Sequence, residues 1–90
     1  MKAYELLDSP EKWIKGAFAR DKEGNSVPCG DRKACCWDVL GAIKLCYDTE
    51  EERNRVFSTI LNHIEENSVA GWNDKSTYKE VHRVLKRLDI

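Results

Sequence analysis

Trp37-Asp38-Val39-Leu40-Gly41-Ala42-Ile43 is the stretch that most directly predicts how this chain folds. Apolar side chains in and around it recur at the spacing of one helix face, and they are Cys36, Val39, Leu40, Ile43 and Tyr47. Asp31 is a candidate cap for this helix. Gly41 costs a helix about 1 kcal/mol relative to alanine, so we expect it to permit a close approach to a neighbouring helix.

A first helix is predicted on the N-terminal side of this stretch. Ser9-Pro10-Glu11 combines an N-cap residue, a proline at the first helical position and an acid in the first turn. The apolar stripe that follows is Trp13, Ile14, Ala17 and Phe18. We expect this helix to end near Arg20. Residues 21–30 then predict a turn and an extended stretch, with a short hairpin around Gly24 as the expected departure from helical structure.

Two more helices are predicted on the C-terminal side, each beginning at a capping box. In Thr49-Glu50-Glu51-Glu52 and in Thr77-Tyr78-Lys79-Glu80, the threonine can cap the helix and the last glutamate can reach back to the cap. Their apolar faces are Val56, Phe57, Ile60, Leu61 and Ile64 in the third helix, and Val81, Val84, Leu85 and Leu88 in the last. The third helix is expected to end at Asn67-Ser68. Residues 69–75 are predicted to be a connector with a bend at Gly71.

Length and composition predict one small domain over residues 1–90. The predicted fold class is all-α, with three to four helices and a loop-rich stretch or short hairpin between the first two. The chain has no run of about 18 apolar residues, so no membrane-spanning helix is expected. The residues Met1–Glu5 lack the long apolar core of a signal peptide, which predicts a cytoplasmic location. Fifteen basic and sixteen acidic residues give a formal net charge of -1, which disfavours broad affinity for nucleic acid.

The three tryptophans lie in segments whose order and spacing resemble those of a family. The segments are Trp13-x-x-Gly16-Ala17-x-Ala19-Arg20-Asp21-x-x-Gly24, then Trp37-x-x-x-Gly41-Ala42, then Trp72-Asn73-Asp74 with Thr77-x-x-Glu80-Val81. This pattern resembles an uncharacterised domain of unknown function found in short bacterial and phage proteins, and the likeness runs from Trp13 to Leu88. Relatives often have Cys-x-x-Gly-Ala in the second segment, where this chain has Asp38 at the cysteine position. The resemblance implies no catalytic residue and makes a shared cysteine nucleophile doubtful here.

Candidate binding residues fall in three places. Trp72-Asn73-Asp74 is either a binding lip or a core tryptophan followed by a turn into the last helix, and the second interpretation is favoured. Trp37 is a candidate contact for a partner protein if it is exposed. The outer face of the last helix carries Lys79, Arg83, Lys86 and Arg87. Such a face suits an acidic partner or a phosphate backbone, although solvated charged faces are common on amphipathic helices.

The cysteines and histidines suggest two further kinds of site. The candidate residues are Cys35, Cys36, Cys46, His63 and His82. Zinc ligands usually come in pairs about two to four residues apart, and the chain has no Cys-x-x-Cys, so neither a metal nor a cofactor is expected. A cysteine hydrolase would need an activated thiol, a nearby imidazole and an orienting group such as Asn73. Nothing in the spacing requires that arrangement.

The leading functional prediction is a small cytoplasmic binding domain that engages another protein and has no catalytic activity. One alternative is a nucleic-acid or nucleotide binder that uses the basic last helix with Trp72 and Asn73. The other alternative is a cysteine-dependent enzyme. The sequence leaves the partner and the oligomeric state open.

Overall fold

The computed structural model describes every residue from Met1 to Ile90 and contains five α-helices and a two-stranded sheet. The helices are α1 Ala3–Leu6, α2 Val39–Cys46, α3 Glu50–His63, α4 Val69–Lys75 and α5 Tyr78–Arg87. Strands β1 Ala19–Arg20 and β2 Cys36–Trp37 pair in antiparallel fashion, and a 3₁₀ turn spans Pro10–Lys12. The fold is therefore α+β, and the prediction of an all-α domain with three to four helices is wrong.

The region predicted to be the first helix is not an α-helix, because it consists of the 3₁₀ turn, a single bridge at Trp13, a run of bends over residues 15–18 and strand β1. After the 3₁₀ turn, the N–H of Ile14 donates to the carbonyl of Trp37 at 3.1 Å, and β1 then pairs with β2. Gly16 has a φ of 84°, in the left-handed region that a right-handed helix does not use. The apolar spacing that suggested a helix is present, but strand pairing satisfies these backbone groups instead.

The chain reverses direction between β1 and β2 around Gly24, whose φ is 85°. The carboxylate of Asp21 accepts hydrogen bonds from the N–H groups of Glu23 and Asn25, at 3.0 and 2.8 Å. These bonds make an Asx-type turn, in which an aspartate side chain organises the backbone that follows it.

Helix α2 starts later than predicted, with Asp38 rather than Asp31 as its N-cap. The Asp38 carboxylate accepts a hydrogen bond from the N–H of Gly41 at 2.6 Å. Gly41 is needed because a Cβ there would overlap the carbonyl oxygen of Phe18 and lie 2.8 Å from its carbonyl carbon. The close approach expected at Gly41 is therefore present, but its partner is the backbone just before β1 and not another helix.

The last three helices are set by their caps. Thr49 and Thr77 cap α3 and α5 as predicted, and each hydroxyl accepts from the N–H three residues later, at 3.1 and 3.3 Å. Ser68 caps α4 in the same way by accepting from the N–H of Gly71 at 3.0 Å. The prediction of a connector over residues 69–75 is consequently wrong, since these residues are α4.

The core is one cluster of twelve buried residues centred on α2, which packs against α1, α3 and α4. The cluster consists of Ala3, Leu7, Val39, Ala42, Ile43, Val56, Ile60, Val69, Trp72, Val81, Leu85 and Ile90. The two ends of the chain meet, because the N–H of Tyr4 donates to the carbonyl of Ile90 at 3.0 Å. None of the five helices has the length and apolar character that crossing a membrane requires.

Candidate functional site

The three tryptophan-containing segments meet at Asn73, which is fully buried on α4. Its Oδ1 accepts from the indole N–H of Trp13 at 2.7 Å and from the N–H of Val39 at 3.1 Å. Its Nδ2 donates to the carbonyl of Ile14 at 3.2 Å. Asn73 therefore joins the stretch before β1 to the start of α2, and its amide has no freedom to bind a ligand or to orient a catalytic histidine.

The tryptophans are also used mainly inside the fold. Trp72 belongs to the core cluster and exposes 8% of its surface. Trp37 is half-buried, and its indole N–H donates to the carbonyl of Cys29 at 2.9 Å. Both indoles therefore stabilise the fold. The proposal of Trp37 as an exposed partner contact gains no support from this geometry.

Asp74 is exposed and borders a cleft of about 410 Å³. The cleft lies where the stretch before β1, the turn after it, the cap of α2 and helix α4 come together. Its lining consists of Gly16, Ala17, Phe18, Ser26, Asp38, Ala70 and Asp74. Of the residues that the sequence marked for binding, only Asp74 lies on this cleft.

Two carboxyl groups, those of Asp38 and Asp74, face this cleft. Asp38 exposes only 7% of its surface. Burial raises the pKa of Asp38 above its ordinary value of 3.8; the hydrogen bond from Gly41 opposes that effect, and the negative charge of Asp74 adds to it. The positive charge of Lys44 lowers the same pKa by a smaller amount. The net effect is a raised pKa, so the surroundings of Asp38 disfavour its ionised form.

Sequence reasoning missed Asp38 and Phe18 as cleft residues. The available signal for Asp38 was its position three residues before Gly41, which is the spacing of an N-cap that accepts a hydrogen bond from the third helical N–H. Phe18 had no such signal. Its side chain is 46% exposed, and Nζ of Lys44 lies 4.1 Å from the centre of its ring.

The basic face of α5 is present but does not border the cleft. Its four members are exposed and take part in none of the chain's three ion pairs; they are Lys79, Arg83, Lys86 and Arg87. Acidic residues lie close to it, since Glu65, Glu66 and Glu80 line the same surface hollow as Arg83. These carboxylates weaken the positive potential at the centre of the face.

The thiols and imidazoles have separate partners. The thiols of Cys35 and Cys36 lie 3.5 and 3.7 Å from the carbonyl oxygen of Arg20, to which both donate. Burial raises the pKa of the Cys36 thiol, and the adjacent Cys35 raises it further. His82 instead has its Nε2 3.1 Å from the carbonyl of Tyr4, and its ring stacks on Tyr78. No group of three or more His, Cys, Asp or Glu side chains is gathered to hold a metal ion.

This fold and cleft define a small α+β domain with two carboxyl groups in a surface depression. The chain belongs to a family of unknown function, DUF6197, whose sequence profile matches residues 1–88. The resemblance to an uncharacterised family is thus confirmed, and the match extends further towards the N-terminus than the tryptophan pattern did. No curated protein and no solved structure matches the chain.

Proposed function

We propose that this protein is a small interaction domain that engages another protein at the cleft between Asp38 and Asp74. One observation carries the proposal. The indole N–H groups of Trp13 and Trp37 and the amide of Asn73 make hydrogen bonds within the fold. Other residues of the same three segments line one cleft, and they are Gly16, Ala17, Phe18, Asp38 and Asp74. A cytoplasmic location and a bacterial or phage origin stay predictions from the sequence.

The shape of the cleft suits the insertion of a side chain. Binding sites are usually concave and combine apolar walls with a few polar groups that fix orientation. Here Ala17, Phe18 and Ala70 supply apolar surface, and the two aspartates supply the polar groups. A cleft of about 410 Å³ accommodates one or two side chains, so we expect the partner to present a small anchor rather than a broad surface.

A cross-linking experiment tests this proposal. A photo-reactive amino acid is placed at Ala70, which is exposed and lines the cleft, or at Asn54, an exposed control position on α3. The partner captured from the native host by the Ala70 variant is identified, purified and titrated against the unlabelled protein. We expect Ala70→Trp, which fills the cleft, to weaken binding at least about tenfold, and Asn54→Trp to leave it unchanged. Equal affinity in both variants would overturn the proposal.

A second candidate function is nucleic-acid binding through α5. The observation in its favour is the set of four exposed cations that share a face and have no ion-pair partner. Affinity for labelled DNA and RNA should then fall steeply between about 50 and about 200 mM salt and be lost in Arg83→Glu. We favour the cleft because the chain's net charge is -1 and three glutamates line the same surface hollow as Arg83.

The cysteine-dependent enzyme has less support than either. Burial raises the pKa of both Cys36 and Cys46, which lowers the fraction of reactive thiolate at neutral pH. Asn73, the residue suggested to orient a histidine, is fully engaged elsewhere.

A further inference from the structure

We propose that the cleft accepts a positively charged side chain of the partner protein, the ammonium of a lysine or the guanidinium of an arginine. This inference rests on the proposed function, because it names the chemistry of the group that enters the cleft. It is carried by the hydrogen bonding and ion pairing of Asp38 and Asp74.

Asp38 presents an unused carboxylate oxygen to the cleft. More than nine-tenths of the residue is buried, and its Oδ1 accepts from the N–H of Gly41 at 2.6 Å. No other residue donates a hydrogen bond to this carboxylate, and the N–H of Asp38 itself has only a small effect on its pKa. The second carboxylate oxygen is not sealed in the core, because no fully buried side-chain oxygen lacks a partner. It is therefore open to a donor that enters from the cleft.

Asp74 is similarly underused. Its carboxylate accepts only a long 3.4 Å hydrogen bond from the amide of its neighbour Asn73. Neither aspartate belongs to any of the chain's three ion pairs. Asp74 raises the pKa of Asp38 by charge repulsion, and Lys44 offsets this by a smaller amount without forming an ion pair with either aspartate. A cation that enters the cleft would be attracted to both carboxylates.

The chain's own cations near the cleft are committed to other groups. Arg20 donates to the carbonyl of Gly24 at 3.1 Å. Lys44 places its Nζ over the ring of Phe18 rather than on a carboxylate, at 4.1 Å from the ring centre. That contact is a cation–π interaction, and it holds the ammonium of Lys44 over the ring without an ion pair to Asp38 or Asp74. A phosphate group would meet two carboxylates here, so the same features disfavour nucleic acid at this site.

The test uses small probes of matched shape. Nα-acetyl-lysine amide and the uncharged Nα-acetyl-norleucine amide are titrated into ¹⁵N-labelled protein, and the backbone amides of Gly16, Ala17 and Ala70 are followed. We expect saturable shifts with the lysine probe and none with the norleucine probe. Shifts of equal size with both probes, or none with lysine, would overturn the inference.

Charge-neutralising variants complete the test. Asp74→Asn removes an exposed charge, and Asp38→Asn keeps an oxygen that can accept from Gly41. Each should weaken lysine binding at least about tenfold, whereas the control Asp48→Asn, an exposed aspartate outside the cleft, should not. If Ala70→Trp weakens partner binding but Asp74→Asn does not, the partner does not insert a cation into the cleft, although the proposed function still holds. If Ala70→Trp leaves the affinity for the partner unchanged, the proposed function itself is wrong, whether or not the lysine probe binds.

Discussion

The indole N–H of Trp13 donates a 2.7 Å hydrogen bond to Oδ1 of Asn73, a residue 60 positions further along the chain. The same oxygen accepts the N–H of Val39 at 3.1 Å, so one amide satisfies donors from two distant segments. Buried polar groups of this kind specify a unique packing when every partner is present, and they are costly when one is removed. Asn73, which the sequence offered as a candidate binding residue, therefore stabilises the fold.

Removing the Asn73 amide should destabilise the protein severely. Asn73→Ala would leave two donors and one acceptor without partners in a buried site, and we expect the free energy of unfolding to fall by about 3 to 5 kcal/mol. Urea unfolding measures the change. Asn54→Ala, at an exposed position on α3, is the control and should stay within about 0.5 kcal/mol of the wild type. A loss at Asn73 no greater than that of the control would contradict this description of the hub.

Adding a methyl group at Gly41 should lower the free energy of unfolding, because there is no space for it. Gly41→Ala gains helix propensity worth about 1 kcal/mol, yet its Cβ would overlap the backbone of Phe18. Because backbone cannot swing aside as a side chain can, we expect a net loss of at least about 2 kcal/mol in thermal or urea unfolding. Gly30→Ala is the matched control, since a Cβ there meets nothing within 4 Å. Similar stabilities for the two variants would show that the contact with Phe18 yields easily.

The raised pKa of Asp38 makes a prediction about pH. In the unfolded chain this carboxyl has its ordinary pKa near 3.8, and in the folded protein burial and Asp74 raise it. The folded state therefore holds the proton more tightly, and the contribution of Asp38 to the free energy of unfolding falls as the pH rises from 3.8 through the raised pKa. Asp38→Asn should lose this dependence and become more stable relative to the wild type across that window. Parallel stability curves for the two proteins between acid and neutral pH would argue against it.

The two adjacent thiols should react at different rates. Cys35 is exposed, whereas Cys36 is buried and burial raises its pKa. Iodoacetamide at neutral pH should therefore modify Cys36 at least about ten times more slowly than Cys35 in the folded protein. Mass spectrometry of timed digests measures both rates. The difference should vanish in urea, and equal rates in the folded state would mean that β2 opens on the timescale of the reaction.

Helix caps, which depend on residues close together in the chain, could be predicted from the sequence. Pairing between distant segments could not. The caps at Thr49 and Thr77 depend on a side chain and an N–H three residues apart, so both helix starts were predicted correctly. The stretch from Trp13 to Phe18 has helical apolar spacing, but its backbone pairs with Trp37 and its conformation depends on a left-handed Gly16. Those partners are too far along the chain for periodicity to reveal, and tertiary pairing overrides local spacing there.

The candidate site shows the same division. The family resemblance singled out residues from every segment that meets at the cleft, yet it could not say which side chains face inward. Trp72 is buried, as the favoured interpretation of a core tryptophan predicted. Asn73, predicted either to bind a ligand or to form a turn, is buried within α4, whereas Asp74 beside it is exposed. Neighbouring residues of a helix lie on different faces, and residues 69–75 form helix α4 where a connector was predicted. Asp38 was overlooked because Asp31 also fitted the role of helix cap.

The meeting of the two ends has a consequence for biosynthesis. Helix α1 is completed by Ile90, whose carbonyl receives the N–H of Tyr4, and the hydroxyl of Tyr78 donates to the carbonyl of Leu7. Tyr78 and Ile90 are synthesised long after residue 4, so during translation α1 has α2 to pack against but still lacks these two later partners. These two hydrogen bonds can therefore form only after translation has passed both residues.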